Sequence, residues 1–531
     1  MASLLDGFVD SVRRYPRQVA LVLDNRRLTY EELALRASTI ATAIDQASPG
    51  DSPLVGLLAT ESVSAYAGVL AILGAGRGFV PIDPTHPPKR ILNIVAHSGV
   101  DTLVVGQEAL DRLDGLLHEI GHPLEIIAPE ADELRGVSAR HQRHRFRCGA
   151  DMPSPVELID ACDHPPGPAY LLYTSGSTDA PRGVAVTHRN ACAYLDAMSQ
   201  RLELEPDDRC SHTFPLSFDL SIHDLFMTWS AGATVVVWTS PTRTDPARYI
   251  DHHRLTSWFS VPTVAMTMER LGELRPHRFC SIRQTLFCGE PLPRSVAEAW
   301  RQAAPHSSIL NLYGPTEATV AIAAYRFDPD DEPPDLQRRD IVSLGRLFDG
   351  QQALIVTGER RPLGPDTPGS GELWLSGTQV TDGYWRAPEA TTQRFVRLHK
   401  DDERTWFRTG DRVERDAGGR LHFLGRLDDR IKVRGHHVEL GEVDRALRRA
   451  CGHPMAAAVG WPRSKTAVYG LVGLVATDKP LDRARVLARC RRHLPNSIVP
   501  DRIIGLGSLP TNGRGKIDRL AMQRLLQQQE I

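Results

Sequence analysis

The stretch AYLLYTSGSTDAPRGVAVTH, residues 169–188, decides the fold. Ala169 to Thr174 is an uncharged apolar and aromatic run that stops at a Ser/Gly/Thr cluster, which reads as a buried strand. The loop that follows leads into GVAVTH and a helix opened by Thr187, whose hydroxyl suits an N-cap. Upstream, LVGLLAT (54–60), a helical segment and GFVPI (78–82) repeat the same alternation of short apolar runs and helical periods. The pattern predicts an α/β architecture, in which a loop at a strand end is where ligands bind.

The loop residues Thr174, Ser175, Gly176, Ser177 and Thr178 can aim backbone N–H groups and hydroxyls at phosphate oxygens, and Arg182 adds a fixed positive charge. Most Ser/Gly/Thr loops bind nothing, so on this segment alone both readings stand. The G-x-x-x-x-G-K-[ST] spacing is absent, which disfavours P-loop chemistry.

Two further segments have the same character. In NLYGPTEATV, from Asn311, an apolar strand runs into a turn carrying an aromatic ring, a hydroxyl and a carboxylate. Tyr313 can stack on a purine, Thr316 can bind phosphate and Glu317 can hold Mg²⁺, although a plain Gly-Pro turn explains the segment equally well. In WFRTGDRV, Asp411 follows a Thr-Gly turn and can accept two ribose hydroxyls, while many such turns are only turns.

Composition narrows the function classes. A chain of 531 residues with 41% hydrophobic and 24% charged residues can bury several cores, so a multi-domain globular protein is expected. Its formal net charge of −2 gives no general pull toward nucleic acid. The eight cysteines show no C-x-x-C pair and read as reduced thiols. MASLLDGFVDSVRRYP is not a signal peptide, and the most apolar segment, from Gly68, is interrupted by Arg77 and falls short of the ~20 residues a membrane span needs. A cytoplasmic protein without membrane or nucleic-acid partners is expected.

Taken in order, YTSGSTDAPRGV, FDLS, NLYGPTE, WFRTGD, GRLDDRIKVRGHHVELGE and LPTNGRGKIDR resemble the motifs of the adenylate-forming family, and most closely the amino-acid adenylation domains of non-ribosomal peptide synthesis. The resemblance runs from about Leu28 to Asp518. It implies a large N-terminal domain of stacked α/β subdomains with a small β-barrel, residues 1–427, and a small mobile α+β domain, residues 428–531, hinged at Asp428. The family's cofactors are ATP and Mg²⁺.

Residue by residue, the resemblance implies that Thr174 to Thr178 and Arg182 hold the ATP phosphates, that Tyr313 and Gly314 pack on adenine, and that Asn311 faces its amino group. Thr316 and Glu317 would be catalytic, with Glu317 coordinating Mg²⁺. Asp411 and Arg426 would grip the ribose beside Phe423, and Lys516 would contact the carboxylate and the α-phosphate. Attack of a carboxylate on phosphorus concentrates negative charge, which Lys516 and Mg²⁺ offset; no general base is needed, because the carboxylate is already ionised. The chain departs from the family at Asp179, where the loop usually has Gly, and at Arg182, where it has Lys.

Asp219, after Phe218, stands where amino-acid-activating members keep a carboxylate for the substrate ammonium. The resemblance places Leu220, His223, Phe259, Leu286, Cys288, Gly289, Leu312, Val320 and Ala321 around the side chain. Bulky apolar walls leave room for only a few carbons, so a small aliphatic amino acid is expected. The chain looks most like the β-amino-acid-activating enzymes of macrolactam polyketide pathways, which take acids such as 3-aminobutyrate. No carrier segment follows Asp518, so the acceptor thiol is expected on a discrete acyl carrier protein with its phosphopantetheine arm, for which Arg485, Arg489 and Arg492 on one helix face are docking candidates. The competing readings are an acyl- or aryl-coenzyme A ligase, activation of a small α-amino acid, and a nucleotide-binding regulator without turnover.

Overall fold

The computed structural model describes residues 3–528 apart from 48–51, 133, 156, 161–166, 175–181, 240–244, 331, 359–360, 365–366, 399–403, 428–429, 434–435, 463–467, 478–479 and 511–516. The decisive run is a strand, Pro168–Thr174, in a seven-stranded sheet ordered Arg145–Cys148, Glu125–Ala128, Thr102–Val105, Leu54–Leu58, Gly78–Ile82, Pro168–Thr174, Arg182–Thr187. Neighbours are parallel except the last pair, an antiparallel hairpin that sets Thr174 opposite Arg182. The helix His188–Ser199 then starts on a reciprocal cap: Asn190 N–H donates to the Thr187 hydroxyl at 3.2 Å, and Thr187 N–H donates to Asn190 Oδ1 at 3.0 Å. Such a cap is worth about 1 kcal/mol and fixes where the chain turns.

A second sheet has nine strands, ordered Arg346–Leu347, Ala323–Phe327, Ser308–Tyr313, Gln284–Phe287, Ser257–Ser260, Arg209–His212, Thr234–Val237, Val19–Leu23, Arg26–Thr29. Strand period two sorts its side chains. Leu21, Leu23, Val235, Val237, Phe259 and Leu286 face one core, while Val22, Val236, Trp258 and Phe287 face another. The first core also takes in the helices Tyr30–Gln46 and Val63–Gly74 and, from the seven-stranded sheet, Leu57, Phe79, Tyr170 and Leu172. Two α/β layers therefore stack on those helices, as expected. Val63–Gly74 is apolar on every side because it is sandwiched there; no described helix is long and apolar enough to cross a membrane.

A five-stranded antiparallel sheet follows, built from Gln352–Val356, Gly369–Ser376, Phe395–Val396, Trp406–Arg415 and Leu421–Arg426. Its last pairing sets Asp411 opposite Arg426. After Arg426 come the hairpin Arg430–Val433 and His436–Glu439, and the helix Leu440–Cys451, closed by Gly452 in the left-handed region at φ 69°. A three-stranded sheet, Ala456–Gly460, Leu471–Ala476 and Arg502–Leu506, completes an α+β lobe with cores of its own around Leu447 and Met522. The expected hinge position, Asp428, lies outside the described residues. The helix Arg483–Cys490 ends before Arg492, so the three candidate docking arginines do not share one helix; Arg485 is exposed, and Arg489 donates to the Ala450 carbonyl at 3.1 Å.

Candidate active site

A cavity of about 230 Å³ opens at the C-terminal end of the Ser308–Tyr313 strand, lined by Gly289, Leu312, Tyr313, Gly314, Asp411, Phe423 and Arg426 from the large lobe and by Ile431 and Lys432 from the small one. All seven of these large-lobe residues were assigned to nucleotide or substrate from sequence, among them Asp411. Leu312 lies at the boundary between the two groups.

Asp411 is the best-held group in this cavity. It is buried, Tyr313 Oη donates to its Oδ2 at 2.6 Å, and the Arg426 guanidinium donates to Oδ1 at 2.5 Å. Arg426 also donates to the Thr409 carbonyl at 3.0 Å, and the Thr409 hydroxyl accepts the Asp411 N–H at 3.0 Å. Tyr313 and Arg426 thus aim the carboxylate, while Thr409 braces the Asp411 backbone and the Arg426 guanidinium. Burial and the adjacent Asp411 charge push the Tyr313 phenol well above its ordinary range, so it stays a neutral donor with an apolar ring face. Deeper in, Asn311 is fully enclosed; its amide donates to the Ser343 carbonyl at 2.8 Å, and among the described residues its buried Oδ1 has no partner, an acceptor left for a donor such as an exocyclic amine.

The turn after this strand is tightly made. A Cβ on Gly314 would meet Ala321 Cα at 2.5 Å and the Val320 carbonyl oxygen at 2.8 Å, so only glycine fits. Thr319 and Val320 are β-branched yet lie at φ 57° and 66°, a conformation that costs about 1–3 kcal/mol per residue. Gln379 holds the strained pair: its carbonyl accepts the Thr319 hydroxyl at 2.6 Å, and its amide donates to the Ala321 carbonyl at 2.7 Å. Glu317, in the same turn, is buried, and its Oε1 accepts the Tyr384 hydroxyl at 2.6 Å.

Asp219 is buried at the start of the short helix Leu220–Ile222, and burial lifts its carboxyl to about 6. The Thr316 hydroxyl and Lys432 pull it down, while Glu317 pushes it up, so Asp219, Thr316, Glu317 and Lys432 occupy one electrostatic neighbourhood. Around it the residues assigned to the substrate pocket come together. The His223 ring meets Phe259 edge-on at 4.9 Å; Phe259 pairs with Leu286 in neighbouring strands; a Cβ on Gly289, at φ 92°, would lie 3.7 Å from Leu220. Leu220, Leu286, Cys288, Leu312, Val320 and Ala321 share the same core, and Phe218 packs on its edge. His223 lies in a π-helical turn, His223–Met227, of the kind that re-aims a side chain at functional positions. Its Nδ1 shares a proton with Tyr194 Oη at 2.7 Å, and burial lowers its pKa to about 3, so it is neutral. Burial pushes the Cys288 thiol up to about 12, which leaves it unreactive.

Thr174 ends its strand at the mouth of the loop, and Arg182 returns from it with its guanidinium 5.6 Å above the Tyr384 ring and 4.0 Å from Glu439 of the small lobe. Ser175, Gly176, Ser177, Thr178 and the expected catalytic Lys516 lie outside the described residues. The sequence reading missed Tyr384, Tyr194 and Lys432. Tyr384 comes from GYWRAPE, where nothing local marks it; Lys432 lay within a quoted motif, KVRGHHVELGE, but its reach toward Asp219 depends on how the lobes meet.

The model of the family described as AMP-binding enzyme matches residues 8–385. The chain belongs to the AMP-binding enzymes. Among curated AMP-binding relatives it is 30% identical to an L-proline--[L-prolyl-carrier protein] ligase of Pseudomonas fluorescens, over 99% of each chain. It is 29% identical to tyrocidine synthase 2 of Brevibacillus parabrevis, matching across 97% of its own length but only 13% of that protein's. Among solved structures it resembles the adenylation domain AlmE of Vibrio cholerae in complex with glycyl-adenosine-5'-phosphate, with a TM-score of 0.87 and 29% identity over 98% of this chain and 97% of that one. The fold is the adenylate-forming fold, and as an AMP-binding enzyme the protein is an ATP-dependent ligase that uses Mg²⁺.

The donor set fits that metal. Mg²⁺ is usually held by one or two carboxylates together with substrate phosphates, not by an all-protein cage. Among the described residues there is no cluster of three or more His, Cys, Asp or Glu, and Glu317 supplies one buried carboxylate in the turn after the cavity-lining strand Ser308–Tyr313.

Proposed function

We propose that the protein adenylates a small aliphatic amino acid, a short β-amino acid such as 3-aminobutyrate, and passes the acyl group to the phosphopantetheine thiol of a discrete acyl carrier protein. The observation that carries this reading is Asp219: a buried carboxylate in a pocket otherwise walled by Leu220, Phe259, Leu286 and a neutral His223. The Thr316 hydroxyl, the Leu220 N–H and Lys432 offset the cost of burying this charge only in part, so an acid bearing an ammonium group completes the site and one without it does not. The named activities of the relatives, activation of proline for a carrier protein and a complex with glycyl adenylate, support a small amino acid.

In this reading Asn311 and Tyr313 receive adenine, Asp411 and Arg426 the ribose, and the Thr174–Thr178 loop with Arg182 the phosphates. A substrate carboxylate oxygen attacks the α-phosphorus as the bond to pyrophosphate breaks; the thiol sulfur then attacks the acyl carbonyl and AMP leaves. Bound Mg²⁺ supplies charge compensation for the phosphates, with Glu317 as its protein ligand. Lys516 serves the first step, and rotation of residues 428–531 about Asp428 serves the second. The position of Ile431 and Lys432 in the cavity supports reading this lobe arrangement as the thiol-accepting one.

Pyrophosphate exchange over short β-amino, α-amino and unsubstituted acids tests the proposal. Strong exchange with 3-aminobutyrate or β-alanine, weaker exchange with alanine and none with butyrate is the expected order. Preference for alanine would move the assignment to α-amino acids; exchange with butyrate and coenzyme A would favour an acyl-coenzyme A ligase, and exchange with none of these acids would move the assignment to larger acids.

A further inference from the structure

Tyr384 has no assigned role, yet it is placed as a working part of the site. Its hydroxyl donates to Glu317 Oε1 at 2.6 Å, and among the described residues nothing bonds the second carboxylate oxygen. The tyrosine is itself fixed on several sides. It is buried, its ring meets Phe395 edge-on at 5.5 Å, and its N–H donates to the Thr391 hydroxyl at 2.9 Å. Tyr384 also bridges to Val184, and Trp385 N–H donates to the Gly183 carbonyl at 2.8 Å, which ties this turn to the strand returning from the phosphate loop. The Arg182 guanidinium lies over its ring at 5.6 Å. The Glu317 backbone is held from the same turn, its carbonyl accepting the Thr381 N–H at 2.9 Å.

We propose that Tyr384 is the positioning residue for the metal carboxylate: its hydroxyl engages one oxygen of Glu317 and sets the rotamer, leaving the other oxygen to serve Mg²⁺ of the bound nucleotide. This rests on the reading of Glu317 as the metal ligand. A partner that hydrogen-bonds a ligating group orients it, and losing such a partner typically weakens metal affinity about 10–100-fold. The aromatic ring carries a second duty as the platform under Arg182, so the hydroxyl and the ring are separable by substitution.

The test uses the full chain and Tyr384→Phe, which removes only the hydroxyl and keeps the ring against Phe395 and Arg182. ATP binding is measured by calorimetry with Mn²⁺ and with EDTA, Mn²⁺ binding to the ATP complex by electron paramagnetic resonance, and folding by thermal unfolding. The expected result is a loss of Mn²⁺ affinity in the ATP complex of about 10-fold or more, with metal-free ATP binding and the melting temperature unchanged. Wild-type Mn²⁺ affinity in Tyr384→Phe overturns the proposal, as does an equal loss of metal-free ATP binding or a large drop in melting temperature, which would make the role structural. A wild-type protein whose ATP binding is indifferent to metal would instead overturn the reading of Glu317 itself.

Discussion

Tyr313 and Asp411, 98 residues apart in sequence, are joined by a hydrogen bond of 2.6 Å that links the nine-stranded sheet to the small antiparallel sheet at the rim of the cavity. With Arg426 on its other oxygen, Asp411 is held in one orientation before any nucleotide arrives. In the proposed reading, Asp411→Ala removes the acceptor for the ribose, and it leaves Arg426 without its carboxylate. Hydrogen bonds to a charged group are worth about 1.5–3 kcal/mol each, so KM for ATP is expected to rise by about 10–100-fold. Tyr313→Phe keeps the ring and loses only the bond to Asp411, so its effect is expected within about 10-fold. Exchange kinetics at varied ATP check both values.

The raised pKa of Asp219, about 6, predicts a pH profile. In the proposed reading the carboxylate is the amine-binding form, so kcat/KM for an amino acid falls as pH drops through about 6 and is level above it. For stability the sign is reversed: the folded state holds this proton more tightly than the unfolded chain, so the contribution is full below the ordinary aspartate range and is lost as pH rises through about 6. Asp219→Asn should therefore melt higher than wild type near pH 8, by an amount on the order of 2 kcal/mol, while losing amino-acid activation. Thermal unfolding at pH 5 and 8 reads this directly, with the difference between variants larger at pH 8.

On the small lobe, Arg485 and Arg492 are exposed, and a carrier protein of acidic surface would meet them. Replacing both with Glu should slow acyl transfer to such a carrier by about 10-fold or more at low salt and leave pyrophosphate exchange unchanged. Equal transfer rates in the variant would remove this face from the docking surface.

Much of this site was legible in the sequence because its parts lie within short motifs at strand ends, where local chemistry announces itself. Asn311 and Tyr313 lie in the last half of the Ser308–Tyr313 strand, Glu317 in the turn after it and Arg426 at the end of Leu421–Arg426, while Asp411 sits within Trp406–Arg415 opposite Arg426. Tyr384 was not legible, because its partner Glu317 is 67 residues away and a Gly-Tyr-Trp segment carries no chemistry of its own. The left-handed Thr319 and Val320 were hidden for a related reason: β-branched residues argue for extended backbone, and hydrogen bonds from Gln379 and within the turn override that preference. The extent of the docking helix was misread, since the Arg-rich run continues past Cys490 while the helix stops there.

The most direct measurement of the central claim is pyrophosphate exchange with 3-aminobutyrate and with butyrate, in wild type and in Asp219→Ala. If Asp219 is the amine anchor, wild type prefers the amino acid by at least about 10³-fold and the variant loses at least about 10²-fold of that preference, because the buried carboxylate no longer penalises an acid without an ammonium group. A wild-type enzyme that activates butyrate as well as 3-aminobutyrate, or a variant that keeps the full preference, would contradict the account.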